Sequence, residues 1–154
     1  MLIDSNLEMC DATSAALTTA AGITKVGDHI DIHPLTGDNA TIDLSGGEPI
    51  YLVIEVTTAF VGSGASYKIE LTTSTETALT GGTTENIWTT GSLGLSSGAW
   101  AAGERWIATL PRADYYRYLG IRGTATGANV TAGAINAFIT KDVENWTSTD
   151  TRTD

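Results

Sequence analysis

A chain of 154 residues, 42% hydrophobic and 17% charged, has the apolar content of one folded domain and too little length for two, which sets global disorder aside. Its formal charge of −10 opposes phosphate binding, because nucleic-acid affinity rests on neutralising phosphates with Lys and Arg, so nucleic acid is not an expected partner. Cys10 is the sole cysteine, which excludes an internal disulfide, and no apolar run approaches the ~18 residues of a membrane-spanning helix, so no membrane partner is expected.

Abundant Thr, Val and Ile, scarce Lys and 17 glycines suit pleated strands joined by sharp turns, and the chain reads as all-β. Residues 1–24 lack strand alternation; Ser5 followed by Glu8 fits the cap of a short helix, and an extended arm fits equally well. The opening MLIDSNLEMCD carries acids where a secretion signal needs bases and then an apolar run, so the expected site of synthesis is the cytoplasm. DHIDIH (28–33) places Ile30 and Ile32 on one face and Asp31 on the other, and ATIDL (40–44) repeats the pattern after the breaker TGDN. SGGEP turns the chain into IYLVIEVT (50–57), the most apolar run, which reads as a central strand covered on both faces. GSG (62–64) leads tightly into SYKIELTT (66–73), and the two strands read as a hairpin.

Two Thr/Gly-rich stretches, 72–86 and 91–104, flank NIWTT (86–90) and read as long loops, which are commonly functional or mobile. RWIATLP (105–111), RYLGIRGTA (117–125) and GAINAFIT (133–140) complete the set. Eight short strands without a disulfide predict a two-sheet antiparallel sandwich, with an eight-stranded jelly roll as the expected arrangement. The sandwich is expected over 25–146, between the N-terminal segment and a polar tail, 147–154.

Residue types that carry catalysis are thinly represented. His29 and His33 would share a strand face but stand roughly 13 Å apart by strand rise, too far to chelate one ion. Cys10 has no basic neighbour in sequence to lower its pKa. VGSGASY has the glycine spacing of a phosphate loop, yet lacks its lysine and a following helix. Acid pairs such as Asp142 with Glu144, or Asp28 with Asp31, sit at strand ends, where solvated carboxylates are ordinary. No enzymatic activity, metal or cofactor is therefore expected. Of the four tryptophans, Trp106 and Trp88 lie in strands and read as core, while Trp100 and Trp146 sit where a sugar or a protein partner could reach them.

Residues 47–56, GEPIYLVIEV, and 110–142, LPRADYYRYLGIRGTATGANVTAGAINAFITKD, carry a family resemblance. The features are a G-E-P turn into a buried strand, L-P ahead of a basic R-Y-L strand, a T-A-T-G turn and a closing T-A-G-x-I-x-A-F-I-x-K-D strand. Together they resemble the cement, or decoration, proteins of tailed bacteriophage capsids, of the small jelly-roll type that binds the outer shell as trimers. The resemblance implies a non-enzymatic virion structural protein on the outer capsid surface, a homotrimer whose partner is the major capsid protein of the same phage. The competing reading is a receptor- or glycan-binding sandwich of a tail fibre or spike.

The segment LPRADYYRYLGIRG (110–123) holds three of the five tyrosines and three of the five arginines. Residues 1–104 carry two bases against thirteen acids, whereas 105–154 carry six bases against five acids, so the C-terminal third is best able to approach another acidic body. Alternation puts Leu119 and Ile121 on one face and Tyr118, Gly120 and Arg122 on the other, with Gly120 offering room for a neighbouring chain. Tyr and Arg are enriched where proteins meet. Arg112, Tyr115, Tyr116, Arg117, Tyr118 and Arg122 are thus the expected protein interface, with Tyr115 and Tyr116 near its rim.

Overall fold

Alternating β-branched and aromatic residues become strands wherever one face can be buried. The computed structural model describes residues 7–15, 22–32, 49–111, 113–141 and 143. Among them run β1 (Glu8–Ser14), β2 (Ile23–Asp31), β3 (Tyr51–Val61), β4 (Ser66–Ser74), β5 (Thr84–Thr89), β6 (Leu93–Gly94), β7 (Arg105–Thr109), β8 (Tyr118–Thr126) and β9 (Ala132–Thr140). They form an all-β sandwich of two antiparallel sheets. Sheet A has the order β1-β9-β3-β7; sheet B has β2-β8-β4-β5, with β6 also paired to β4.

The two short strands β5 and β6 meet the same flank of β4, at Glu70–Ser74 and at Ser66–Tyr67, and act as one interrupted strand. Counted so, the described residues form eight strands. The chain changes sheet at every connection except the one leaving β4, which is the strand order of a jelly roll.

This order corrects the hairpin expected over 50–73. Strands β3 and β4 follow each other closely in sequence but belong to different sheets, and their side chains meet across the core instead, with Phe60 and Tyr67 ring centroids 4.9 Å apart. A second correction concerns the N-terminal segment, expected as an arm or short helix. Residues 8–14 are an edge strand paired to β9, with Met9 and Cys10 buried. The expected strand over 40–44 and the tail over 147–154 lie outside the described residues.

The core is built from one face of each sheet. Leu52, Ile54, Val56, Ile135 and Ala137 of sheet A face Tyr67, Ile69, Leu71, Leu119 and Ile121 of sheet B. Val53 points the other way and is also fully buried, so β3 is covered on both faces, as its unbroken apolar run predicts. Stretch 91–104 is not an open loop. Leu93 pairs with Tyr67, Trp100 Nε1 donates to the Leu93 carbonyl at 3.2 Å, and the Phe60 amide donates to the Trp100 carbonyl at 3.0 Å. Trp100 itself is 1% exposed and lies 4.9 Å from Phe60 and 5.0 Å from Trp106 between centroids. Truncating such a side chain typically costs ~3–5 kcal/mol, so this segment is part of what holds the sandwich shut.

Candidate protein interface

The Tyr/Arg cluster runs into β8, between β2 and β4 in the middle of sheet B. Alternation aims Leu119 and Ile121 into the core and leaves Tyr118, Gly120, Arg122 and Thr124 on the outer face. Register then decides their neighbours: Lys25 and Glu70 lie on either side of Arg122, and Asp31 and Ser74 on either side of Tyr118.

Glu70 is the centre of that face. It is only 3% exposed although it points away from the core, because basic and polar side chains close over it. Lys68 Nζ lies 2.8 Å from Oε1, Asn86 Nδ2 donates to Oε1 at 2.8 Å, and Arg122 Nη2 and Nε approach Oε2 at 3.2 and 3.3 Å. Arg122 Nη2 also donates to Asn86 Oδ1 at 2.7 Å, and Thr72 Oγ1 donates to the same oxygen at 3.1 Å. A buried carboxylate is tolerated when its lone pairs are satisfied in this way.

Arg122 is half-buried and engaged by its own chain. Arg117, at the rim, donates from Nη2 and Nε to the Asp31 carboxylate at 3.0 and 3.2 Å, and its guanidinium carbon lies 5.1 Å from the Tyr118 ring centroid. Tyr118 meets His29 edge to face at 5.1 Å and is partly exposed. Tyr116 is partly exposed, and its carbonyl accepts from Thr73 Oγ1 at 3.2 Å. Arg112 lies outside the described residues, as do His33, Trp146, Asp142 and Glu144.

Tyr115 is corrected from rim to core. It is fully buried, and its hydroxyl donates to the Pro111 carbonyl at 2.7 Å, so the ring anchors the β7–β8 connection and is not offered to a partner. Gly120 is corrected too. A Cβ there would stand 2.6 Å from Leu79 Cδ1 and 3.2 Å from the Asp28 carbonyl, so the space its missing side chain leaves is taken by this chain. Leu79, in the β4–β5 loop (75–83), is fully buried with a backbone φ of 59°. The loop folds back and plugs the outer face of sheet B. Sequence reasoning missed Leu79, Glu70 and Asn86; alternation does put Lys68 and Glu70 on one face, but only register brings them to Arg122.

Electrostatically this face stands apart. Lys25, Lys68, Arg117 and Arg122, four of the chain's eight bases, gather on it or at its rim. The acids that meet them are Glu70, Asp31 and Asp28, whose oxygen is 3.9 Å from Lys25 Nζ. Among the described residues, tryptophan placement weighs against a sugar platform. Trp100 is core, and Trp88 and Trp106 pack against the core as partly buried rings.

A family model described as Bbp16 matches residues 12–139, which runs from the last residues of β1 through β2–β8 to all but the final residue of β9. No curated protein matches the chain. With that match covering well over half of its length, the chain belongs to the Bbp16 family.

Proposed function

We propose that this protein is a non-enzymatic structural component of a virion, a cement protein that binds the outer capsid shell as a homotrimer and stabilises contacts between major capsid protein subunits. The observation that carries the reading is the sorting of charge. A chain at −10 gathers half of its cations on the outer face of one sheet, leaving there a surface that an acidic body can approach. The jelly-roll order, the resemblance of residues 47–56 and 110–142 to capsid cement proteins, and a family name that suggests a phage-related group support the same reading.

The mechanism is mass action. A ligand that binds only the assembled shell shifts the equilibrium away from loss or expansion of subunits. The test is co-sedimentation of the purified protein with empty capsids of a phage that encodes it, followed by thermal disruption of the shells. The expected result is saturable binding that weakens with salt and raises the disruption temperature. Wild-type protein that stays in the supernatant at low salt would sink the proposal.

A further inference from the structure

Among the described residues, charge is nearly absent from one end of this sandwich. Four stretches of more than ten residues contain no Asp, Glu, Lys or Arg: 12–24, 56–67, 86–103 and 123–140. Topology brings described residues of all four to one pole. The β3–β4 turn (62–65), the segment from β6 to β7 (95–104) and the β8–β9 connection (127–131) lie there, as do Ala15 and Gly22, which flank the β1–β2 connection. Within the 95–104 segment only Glu104, at its far end, is charged.

These loops form one continuous surface. A Cβ on Gly62 would meet the Asn129 carbonyl at 2.7 Å and Leu95 Cδ1 at 2.8 Å, and one on Gly127 would meet the Gly64 carbonyl at 2.8 Å. Backbone bonds tie them further, from Thr131 N to the Val61 carbonyl at 2.8 Å and from Leu95 N to the Ala65 carbonyl at 3.1 Å. The surface is thus ordered before any partner arrives, which lowers the entropy lost on binding. It also displays apolar area. Ile23, 55% exposed, and Val61, 54% exposed, are the two most exposed large hydrophobic side chains among the described residues, and both sit at this pole.

We infer that this uncharged pole is where copies of the chain meet one another, around the symmetry axis of the homo-oligomer. The inference rests on the self-association included in the proposed function and names the surface that performs it. Copies at −10 repel one another across any surface bearing their acids, and the repulsion is least where acids are missing. Around a cyclic axis each copy presents the same residues to its neighbours, so a neutral, apolar, preordered pole closes a ring without bringing like charges together.

The experiment is analytical ultracentrifugation of the wild type, Val61→Glu, Ser63→Glu and Thr77→Glu, with near-ultraviolet circular dichroism as the check on folding. Ser63 is an exposed turn residue, so its variant keeps the test valid if Val61→Glu fails to fold. Thr77 is exposed in the β4–β5 loop at the opposite pole and adds the same charge there. The wild type is expected to associate, the two pole variants to raise the dissociation constant roughly 100-fold as introduced carboxylates meet around the axis, and Thr77→Glu to leave it unchanged. Folded pole variants that associate like wild type overturn the inference and leave self-association standing. A wild type that is monomeric at tens of micromolar overturns both. Pole variants that still associate but no longer bind capsids also overturn it, assigning the pole to the shell.

Discussion

Arg122 on β8 stands directly across from Glu70 on β4, and the pair is closed within one chain, Nη2 to Oε2 at 3.2 Å. An arginine on the outer face of a sheet invites the reading that its carboxylate partner belongs to another protein. Here the partner is 52 residues earlier in the same chain and is nearly inaccessible. The face of sheet B therefore arrives at any interface with its central charges already paired. What it presents outward is the exposed part of Lys25, Lys68, Arg117, Tyr116 and Tyr118.

The first consequence is for folding. Arg122→Ala leaves Glu70 held by Lys68, Asn86 and Thr124, and the loss of charge-assisted hydrogen bonds should lower stability by about 2 kcal/mol. Glu70→Leu should cost as much, by leaving Lys68 and Arg122 as unpaired like charges. The double variant Glu70→Leu with Arg122→Ala should lose less than the sum, since removing both partners spares the buried orphan. Urea denaturation of the four proteins checks this. An additive cycle would show that the pair is not coupled, and an Arg122→Ala protein of normal stability but weak association would restore the intermolecular partner.

The Leu79 plug makes a second prediction. Gly120→Ala puts a methyl into Leu79 Cδ1 and should destabilise by roughly 1–3 kcal/mol, as overpacking does. Leu79→Ala should cost about 2–4 kcal/mol from the vacated volume. Combined, the new methyl occupies part of the vacated space, so the double variant should be more stable than additivity allows. Thermal melts of the set, with coupling of opposite sign or none, decide against the plug.

Much of the sandwich was legible because burial on one face writes itself into alternation: Tyr67, Ile69 and Leu71 in β4, Leu119 and Ile121 in β8. Strand β1 was not, since it pairs with β9 through two register shifts, with Ala12 at φ 43°, and so buries Met9 and Cys10 in succession. The N-terminal half of β2 was hidden by a bulge at Gly27, φ 71°, between Val26 and His29. At the candidate interface the cluster of Tyr and Arg was visible in composition. Its partners Asp31, Glu70 and Leu79 come from other strands and loops, and no local pattern names them.

Tyr115 gives a third test of how the cluster is divided between core and surface. Tyr115→Phe keeps the ring and removes the bond to the Pro111 carbonyl, which should cost about 1 kcal/mol, and Tyr115→Ala about 3–5 kcal/mol. Folded Tyr115→Phe protein should bind its partners like wild type, whereas Tyr118→Ala, on the outer face, should leave stability nearly unchanged. Circular dichroism melts paired with an association assay separate the two positions. A stable Tyr115→Ala protein would contradict burial as the role of this ring.

The last prediction is a loss of stability in alkali. Burial, then the carboxylates of Asp28 and Glu8, push the Cys10 thiol from 9.0 up to about 12, and its Sγ donates to the Val26 carbonyl at 3.3 Å, which also favours the neutral form. Burial raises the Tyr67 hydroxyl above its ordinary 10.0 as well, with Cys10 as the smaller cause, and that hydroxyl donates to the Ala15 carbonyl at 3.2 Å. In both cases the folded state keeps a proton that the unfolded state gives up. The stability each group contributes is fully present below its unfolded pKa and is lost as pH rises through the folded one. From about pH 9 to pH 12 Cys10 alone should lower the unfolding free energy by about 1.4 kcal/mol per pH unit, with Tyr67 steepening the fall above pH 10. Urea midpoints at pH 8, 9.5 and 10.5 should therefore drop more steeply for wild type than for Cys10→Ala, which starts lower because of its lost packing but lacks the titrating thiol. Parallel slopes for the two proteins would show that the thiol titrates alike in both states and that the Cys10 site is open to water.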